Sequence, residues 1–518
     1  MKRVLYNTCI VDPWAKVALR MQEKHGWEPV YWIGYPKRGG GVLNDNSYME
    51  IPRMFPNIVY QDYFNAWRGV FSKEIEDKST ESYLDIDFLR EMSCYELQAM
   101  KMMDRLDYDR HSFNFMERER CFLNLVKSWN ACIDLYGIDV VVSAVVPHRV
   151  YDYVLYLVCK QRNIKYICIE NTMCRERIYG VDDIFTIGNI FEIDYQNFKK
   201  QGGLTKNDLS EEICLAYEKV ISDYSVAIPS YMLAHPVSHK RSSSMLLLGK
   251  RLLKSVKLFG KDGVLRKGYR QTVYKNKKYS LEESRFSLLE FGLLRRKTFV
   301  HNKEMQRYYK SRSENVDLTL PYVFLPLHYQ PEATTSPSGD IFVNQRLCVE
   351  ILLKYLPESY YVYVKEHPNQ FMNHMMGHTS RIKEFYDDLA KHPRVKMVSL
   401  GIDSYSLIRN AKGVATVTGT VGWEAMAQQK PVINFGIFWY EGYSGVLRVT
   451  DETSAMQITS FIEDYHYDEQ DLFAYLKAFD KNTVRAYHYS GRKAKVNISE
   501  SECLDNLERL LLKFEDTK

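Results

Sequence analysis

Between Tyr322 and Gly436 the sequence alternates short runs of β-branched and aromatic residues with amphipathic stretches, and this restricts the fold more than any other feature. The spacing predicts strands over Tyr322–Leu327, Tyr361–Val364, Val395–Val398 and Val414–Val417, with a fifth starting at Pro431. Helices are predicted over Ile341–Leu356, Ser380–Ala390, Asp403–Ala411 with Asp403 as N-cap, and Val421–Gln429. Short, continuously apolar strands suit a sheet buried on both faces, which is the habit of parallel sheets. Five of them separated by helices give a doubly wound α/β sheet.

In such a sheet ligands bind beyond the carboxyl ends of the strands, and polar residues gather there. One group is the turn Thr418, Gly419, Thr420, whose unpaired backbone N–H groups at a helix start suit a phosphate or carboxylate. Glu424 lies one turn beyond Thr420 on the same face, placed to accept hydrogen bonds from sugar hydroxyls. The turn is neither a Walker motif nor a GxGxxG fingerprint. A second group is Lys365, Glu366, His367 and Pro368, where proline fixes the loop and the imidazole can donate to a phosphate oxygen. The His–Pro pair recurs at His235 and His392, so its place at a strand end, not the dipeptide, marks His367. The third is the loop Leu327 to Pro337, where Gln330 and Glu332 are candidates to contact donor or acceptor. A surface loop and an ordinary tight turn are the structural alternatives.

The first part of the chain carries the same rhythm more faintly. RVLYNTCIV, a helix from Trp14 to His25 and PVYWIG read strand, helix, strand. Apolar residues from Glu117 to Leu135 have helical spacing. Ile138 to Thr172 repeats the unit: a strand to Val146, a loop with Pro147 and His148, a helix, and a strand ending at Glu170. His148, Asp152 and Glu170 therefore point toward a cleft, with His148, Glu170 and Glu332 as acid–base candidates by position; a structural histidine is the competing reading of His148.

Across its 518 residues the chain carries 70 Lys and Arg against 65 Asp and Glu. The balance is uneven, since residues 240–312 hold 21 basic and 5 acidic residues. That block, with Met245, Leu246, Leu248, Leu252, Leu253, Val256 and Leu258 at helical spacing among lysines and arginines, predicts docking on an anionic membrane surface. No nucleic-acid reader module accompanies it, so nucleic acid is not expected as a partner. The 10 cysteines are scattered, with no CxxC pair and no metal-ligand spacing, which predicts no metal site and a reduced, cytoplasmic setting. No signal peptide and no spanning helix are expected. The division expected is 1–185 and 321–445 as α/β domains, 186–320 as a helical basic insertion, and 446–518 as a helical segment.

YVFLPLHYQPEATTSP, YVKEHPNQ and TGTVGWEAM followed by KPVINFG together resemble the capsule polysaccharide biosynthesis family of bacterial glycosyltransferases, which includes Kdo transferases. The resemblance is more diffuse over PHRVYDYVLY. It implies a GT-B architecture, two Rossmann-like domains facing a cleft, with no cofactor and no obligatory metal. The second domain would hold a nucleotide-activated sugar, CMP-linked by the same resemblance, with His367 on the nucleotide phosphate and Glu424 as the helix-borne acid. The acceptor would be a glycan or a lipid-linked glycan. A polyol-phosphate transferase, a nucleotide-sugar epimerase and a non-catalytic assembly subunit stay open as alternatives on the same plan.

Overall fold

The computed structural model describes residues 1–35, 47–81, 84–107, 110, 113–174, 176–222, 288–373, 375–489, 493 and 496–515. The first unit contains β1 (Lys2–Asn7), β2 (Trp27–Gly34), β3 (Val59–Asp62), β4 (Val140–Ser143), β5 (Lys165–Asn171) and β6 (Arg177–Val181). The second contains β7 (Tyr322–Pro326), β8 (Tyr361–Lys365), β9 (Val395–Met397), β10 (Gly413–Thr416), β11 (Val432–Asn434) and β12 (Val446–Arg448). A last strand, β13 (Val484–Arg485), returns to the first sheet and pairs antiparallel with β6.

The sheet orders are β13-β6-β5-β4-β1-β2-β3 and β12-β11-β10-β7-β8-β9. Strands β1 to β5 are mutually parallel, as are all six of the second sheet. Each sheet therefore starts near its middle, builds outward to one side, and then crosses to the other. That is the Rossmann-like pattern, and the place where the order reverses opens a crevice at the strand ends. The crevices lie between β1 and β4 in one sheet and between β7 and β10 in the other. The α/β reading and the doubly wound second sheet are as the sequence predicts, and β12 is a sixth strand beyond the five expected.

Local signals set most boundaries. Asp403 caps the helix Ser404–Asn410, its carboxylate accepting from Ser406 N at 2.8 Å. The predicted helix from Glu117 becomes Phe115–Tyr136 and stops at Gly137, whose φ of +55° ends it in a left-handed turn. The Asp85–Asp87 pair has a structural use, since Asp85 caps the helix Ile86–Met102 through Asp87 N and Phe88 N. Asp107 is ion-paired with Arg118 at 3.1 Å.

Three apolar layers hold the chain. One covers the first sheet on the side of the helices Lys16–His25 and Glu500–Leu512, where Leu504, Leu507, Leu510 and Leu511 pack near Val4, Trp14 and Ile167. Another covers the far side of the second sheet. The third runs continuously from the first unit's inner helices to the second sheet through the helices Glu192–Gln201, Glu211–Ser222 and Glu469–Asn482. The stretch from 446, read as a helical segment, thus also supplies a strand to each sheet. Within 186–320 the helix Leu288–Arg312 is described, and it packs Thr298, Asn302, Met305 and Tyr309 inward. The amphipathic run from Met245 to Leu258 lies outside the described residues.

Candidate functional site

At the carboxyl end of β7 the chain passes into the crevice as Leu327, His328, Tyr329 and Gln330. His328 is buried, and its Nε2 accepts from Val417 N at 3.2 Å and Thr418 N at 3.3 Å, with Thr416 Oγ1 at 3.1 Å. A ring nitrogen that accepts two backbone N–H groups carries no proton. Burial pushes the His328 pKa down to about 3, helped by His367 and Arg381. This histidine therefore ties the end of β7 to the turn after β10, joining the two strands that flank the switch point. Gln345 completes the tie, donating to His328 O at 3.1 Å and accepting from His328 N at 2.7 Å.

Beside it sits an ion pair closed to solvent. Arg381 Nε donates to Glu366 Oε2 at 2.8 Å, with side-chain exposures of 2% and 0%. Arg381 also donates to Gln330 Oε1 at 2.5 Å and to His328 O at 3.2 Å, and Tyr386 OH donates to Glu366 Oε2 at 2.8 Å. Burial pulls the guanidinium pKa down, and Glu366 and Tyr386 more than reverse the pull, leaving it raised. Gln330 is thereby spent on structure: its amide nitrogen donates to Val343 O at 2.7 Å, while its backbone is clamped by Gln370.

His367 projects from this anchored base. Its backbone N–H donates to Glu366 Oε1 at 2.9 Å, and its Nδ1 accepts from Asn369 N at 3.1 Å. The neutral ring must then carry its proton on Nε2. Burial lowers its pKa, with Glu366 opposing and Arg381 and Lys365 adding to the effect, so the ring is neutral near pH 7. The result is a half-buried N–H donor at the end of β8.

The turn after β10 is held as tightly. Gly419 N donates to Thr416 Oγ1 at 2.9 Å, Thr418 Oγ1 donates to Thr334 O at 2.6 Å, and Tyr440 OH donates to Gly419 O at 2.6 Å. A Cβ on Gly419 would lie 2.8 Å from Thr416 Oγ1, and one on Gly436 would lie 2.6 Å from Ser338 O. Gly419 N-caps the helix Thr420–Ala427. Thr420 Oγ1 lies 3.4 Å from Glu424 Oε1, and desolvation pushes the Glu424 carboxyl up to about 7, with the Thr420 bond opposing it and Asp403 adding to it. Thr418, Gly419, Thr420, Glu424 and His367 thus converge on the strand ends of one sheet.

The first unit faces this with the loop after β4. His148 Nδ1 bonds Val146 O at 2.6 Å, which places the donor proton on Nδ1 and leaves Nε2 as a lone pair. Burial, then Arg149 and Arg105, hold its pKa well below the usual range. Arg105 donates to His148 O, and its guanidinium, depressed to about 10 by burial, is drawn by Glu332 of the other unit. Glu332 keeps solvent contact, yet desolvation raises its carboxyl against the pull of Arg105. Arg105 is the link between the two units, bonded to His148 O in one and attracted by Glu332 of the other. Glu170 lies at the carboxyl end of β5, in register with Tyr179 of β6, and accepts from Asn171 N at 2.7 Å. Asp152, expected to face the cleft, is fully buried at the first turn of the helix Val150–Gln161, accepting from Arg149 N at 2.6 Å.

Sequence reasoning missed His328, Arg381 and Arg105. For His328 a signal existed, a histidine directly after the most apolar strand. Arg381 and Arg105 carry none, because their partners are distant in sequence.

Residues 343–463 match the family model described as "Capsule polysaccharide biosynthesis protein". Over 82 residues, 16% of this chain, the sequence is 32% identical to the capsule polysaccharide modification protein LipA of Neisseria meningitidis serogroup B, and the match spans 11% of that protein. Over 157 residues, 30% of this chain and 35% of the relative, it is 33% identical to Protein FixF of Sinorhizobium fredii. The chain therefore spans about a tenth to a third of the length of these curated relatives. Among solved structures, Thermosulfurimonas dismutans KpsC, beta Kdo 2,7 transferase, is similar over 74% of this chain and 90% of that one, at 12% identity and a TM-score of 0.29. The resemblance to the capsule polysaccharide biosynthesis family is thus shown over a segment that includes His367, Arg381, Thr418 to Thr420 and Glu424; His328, Gln330 and Glu332 precede it.

Removing one member of the Glu366–Arg381 pair strands a buried charge. Arg381→Met is expected to lower unfolding free energy by about 3–5 kcal/mol in urea denaturation, with the double variant Glu366→Gln/Arg381→Met recovering part of the loss. A loss below about 1 kcal/mol for the single variant would show that water reaches the pair.

Proposed function

We propose that this chain, which carries the capsule-biosynthesis segment in its second sheet, is a GT-B type glycosyltransferase. It moves a sugar from a nucleotide-activated donor, CMP-linked, to a glycan or glycolipid acceptor of capsule or another surface polysaccharide. The observation that carries the reading is the set of groups at the strand ends of the second sheet, His367 and the helix start at Thr420, with Arg105 of the first unit bonded to His148 O and attracted by Glu332 of the second. The second unit holds the nucleotide: the helix start at Thr420 and the Nε2–H of His367 meet the phosphate, and Glu424 accepts from hydroxyls of the donor. As the glycosidic bond to phosphate breaks, these donors stabilise the negative charge on the leaving group without rearranging. His148 Nε2 and Glu332 take the proton of the attacking hydroxyl; Glu170, at the carboxyl end of β5, is the further candidate for that role.

Calorimetry on the folded protein tests the donor seat. His367→Ala and Glu424→Ala are each expected to weaken CMP binding by about 1–3 kcal/mol. Glu424 adds a pH signature. Its raised carboxyl is partly protonated at pH 7 in the free protein, and accepting hydroxyl hydrogens favours the ionised form. Binding should therefore release a fraction of a proton around pH 6–7 and none at pH 9, measured in buffers of differing ionisation enthalpy, and Glu424→Gln should abolish the release. Unchanged affinity in both alanine variants would move the donor elsewhere.

Turnover by this route uses no divalent cation, because the leaving phosphate is held by protein N–H groups, while Asp85 caps a helix and Asp107 is paired with Arg118. Activity is expected to persist in chelator. Loss in EDTA with recovery on added magnesium or manganese would refute the metal-free mechanism.

The same reading places the enzyme in the cytoplasm, peripheral to the inner face of the membrane, with residues 240–312 as the contact. No helix among the described residues is long and apolar enough to cross a membrane. The helix Leu288–Arg312 presents Leu293, Arg296, Val300, Lys303 and Arg307 outward, with Leu293 52% and Val300 54% exposed. An apolar and cationic stripe of this kind suits anionic headgroups, each cation adding about 1 kcal/mol that salt screens. Sedimentation with liposomes should show binding to anionic vesicles that fades at high salt; equal partitioning onto neutral vesicles, or none onto either, would remove the docking role.

A further inference from the structure

The first unit's crevice contains two arginines that the donor seat does not use. Arg149 N-caps the helix Val150–Gln161 at the switch point between β1 and β4. Its guanidinium lies 4.9 Å from the centre of the Tyr63 ring and 5.9 Å from that of Trp67, so two aromatic faces fix its plane. Its Nη1 is enclosed and has no hydrogen-bond partner. Arg105 approaches from the neighbouring segment, donates to His148 O, and is repelled by Arg149. Arg149 repels Arg105, Asp152 attracts both and Glu332 attracts Arg105, and the Nη1 of Arg149 is still without an acceptor, which an added anion would supply.

We propose that Arg105 and Arg149, with the first turn of the helix Val150–Gln161, form an oxyanion seat that takes an acidic group of the acceptor, a carboxylate or a phosphate, across the cleft from Glu332. This rests on the glycosyltransferase reading and names the acceptor's chemical class. Guanidinium groups match the planar and tetrahedral oxyanions of these acids with paired N–H donors. Two carboxylates lie near, and neither fills the seat. Asp152 is enclosed behind the helix start, with Oδ1 on Arg149 N and Oδ2 without a partner. Glu332 is on the opposite wall and bonds Thr334 Oγ1 at 3.2 Å. An acceptor anchored by its acid would present a neighbouring hydroxyl to His148 Nε2 and Glu332, the two groups placed to receive its proton. A neutral acceptor would offer Arg149 Nη1 no anionic partner.

The test is calorimetry on the full chain with D-glucuronate, glycerol 3-phosphate and D-glucose. At least one acid is expected to bind ten-fold or more tightly than glucose. Arg149→Gln and Arg105→Gln should each weaken that binding ten-fold or more, with Arg149→Lys losing less, while His367→Ala, on the other wall, leaves it in place. Glucuronate binding alone supports an acidic sugar as the acceptor group, and glycerol 3-phosphate binding alone supports a phosphate-bearing headgroup. Neither acid exceeding glucose, or acid binding that survives both arginine variants, overturns the seat. If the variants fold poorly, phenylglyoxal labelling of the wild-type protein gives the same answer: the acid should shield Arg105 and Arg149, read by mass spectrometry, and labelling unaffected by the acid overturns the proposal. CMP affinity in the arginine variants separates the two readings, because it should be unchanged even where acid binding is lost. Failure of CMP to bind the wild-type protein would strike the donor seat alone.

Discussion

The buried pair of Glu366 and Arg381 is the constraint on which the second crevice depends. A carboxylate and a guanidinium so far from water are tolerable only because each is also hydrogen-bonded to something else. Glu366 accepts from Tyr386 and His367 N, and Arg381 donates to Gln330 and His328 O. Those extra bonds fix the exits of β7 and β8 relative to one another. The side chain of His367 can then be half open to the cleft and still be rigid, because its backbone and Nδ1 are both committed. A donor that is held in place before the ligand arrives loses little entropy on binding it.

Histidines divide the labour in this protein according to which nitrogen is spent. His328 spends Nε2 on two backbone N–H groups and becomes a strut. His367 spends Nδ1 and keeps its Nε2–H. His148 spends its Nδ1 proton on Val146 O and keeps a lone pair. The same side chain is thus brace, acid-like donor and base-like acceptor, and burial holds all three neutral near pH 7. Opposite charges across the cleft, Arg105 on one wall and Glu332 on the other, act over a gap that hydrogen bonds such as Ser336 Oγ to Gln98 O at 3.2 Å help to set. Glu441, whose carboxyl burial raises to about 7, ties the units again by accepting from Gly188 N at 2.8 Å.

The chain's return to its first unit gives the two halves a shared foundation. After β12 completes the second sheet, the helix Glu469–Asn482 packs against Glu192–Gln201, β13 extends the first sheet, and Glu500–Leu512 covers its outer face. Arg177 in β6 donates to Thr483 Oγ1 at 2.8 Å and pairs with Asp480 at 2.8 Å, locking the crossing. Movement between the walls of the cleft therefore has to bend this crossing as well as slide the contacts around Gln98.

The sequence by itself determined the alternation of strand and helix from Tyr322 to Gly436, the cap at Asp403, the tight turn at Thr418 to Thr420, and the strand-end positions of His367 and His148. These follow from period, capping chemistry and small-residue turns, all of which act over a few residues. The N–H groups of Thr418 and Gly419, expected to be unpaired, are taken by His328 and Thr416. Only the tertiary structure decided that Gln330 is a clamp and not an open ligand contact, that Asp152 is enclosed, and that Arg105 is attracted by Glu332. It also decided that the C-terminal stretch supplies strands to both sheets. Several of those outcomes turn on partners dozens to hundreds of residues away, such as Arg381 for Gln330 and Glu332 for Arg105, and a side chain's role as brace or ligand is set by which of its polar atoms such partners have already taken. Local pattern brings a residue to a strand end, and the packing of the whole chain decides what it has left to offer there.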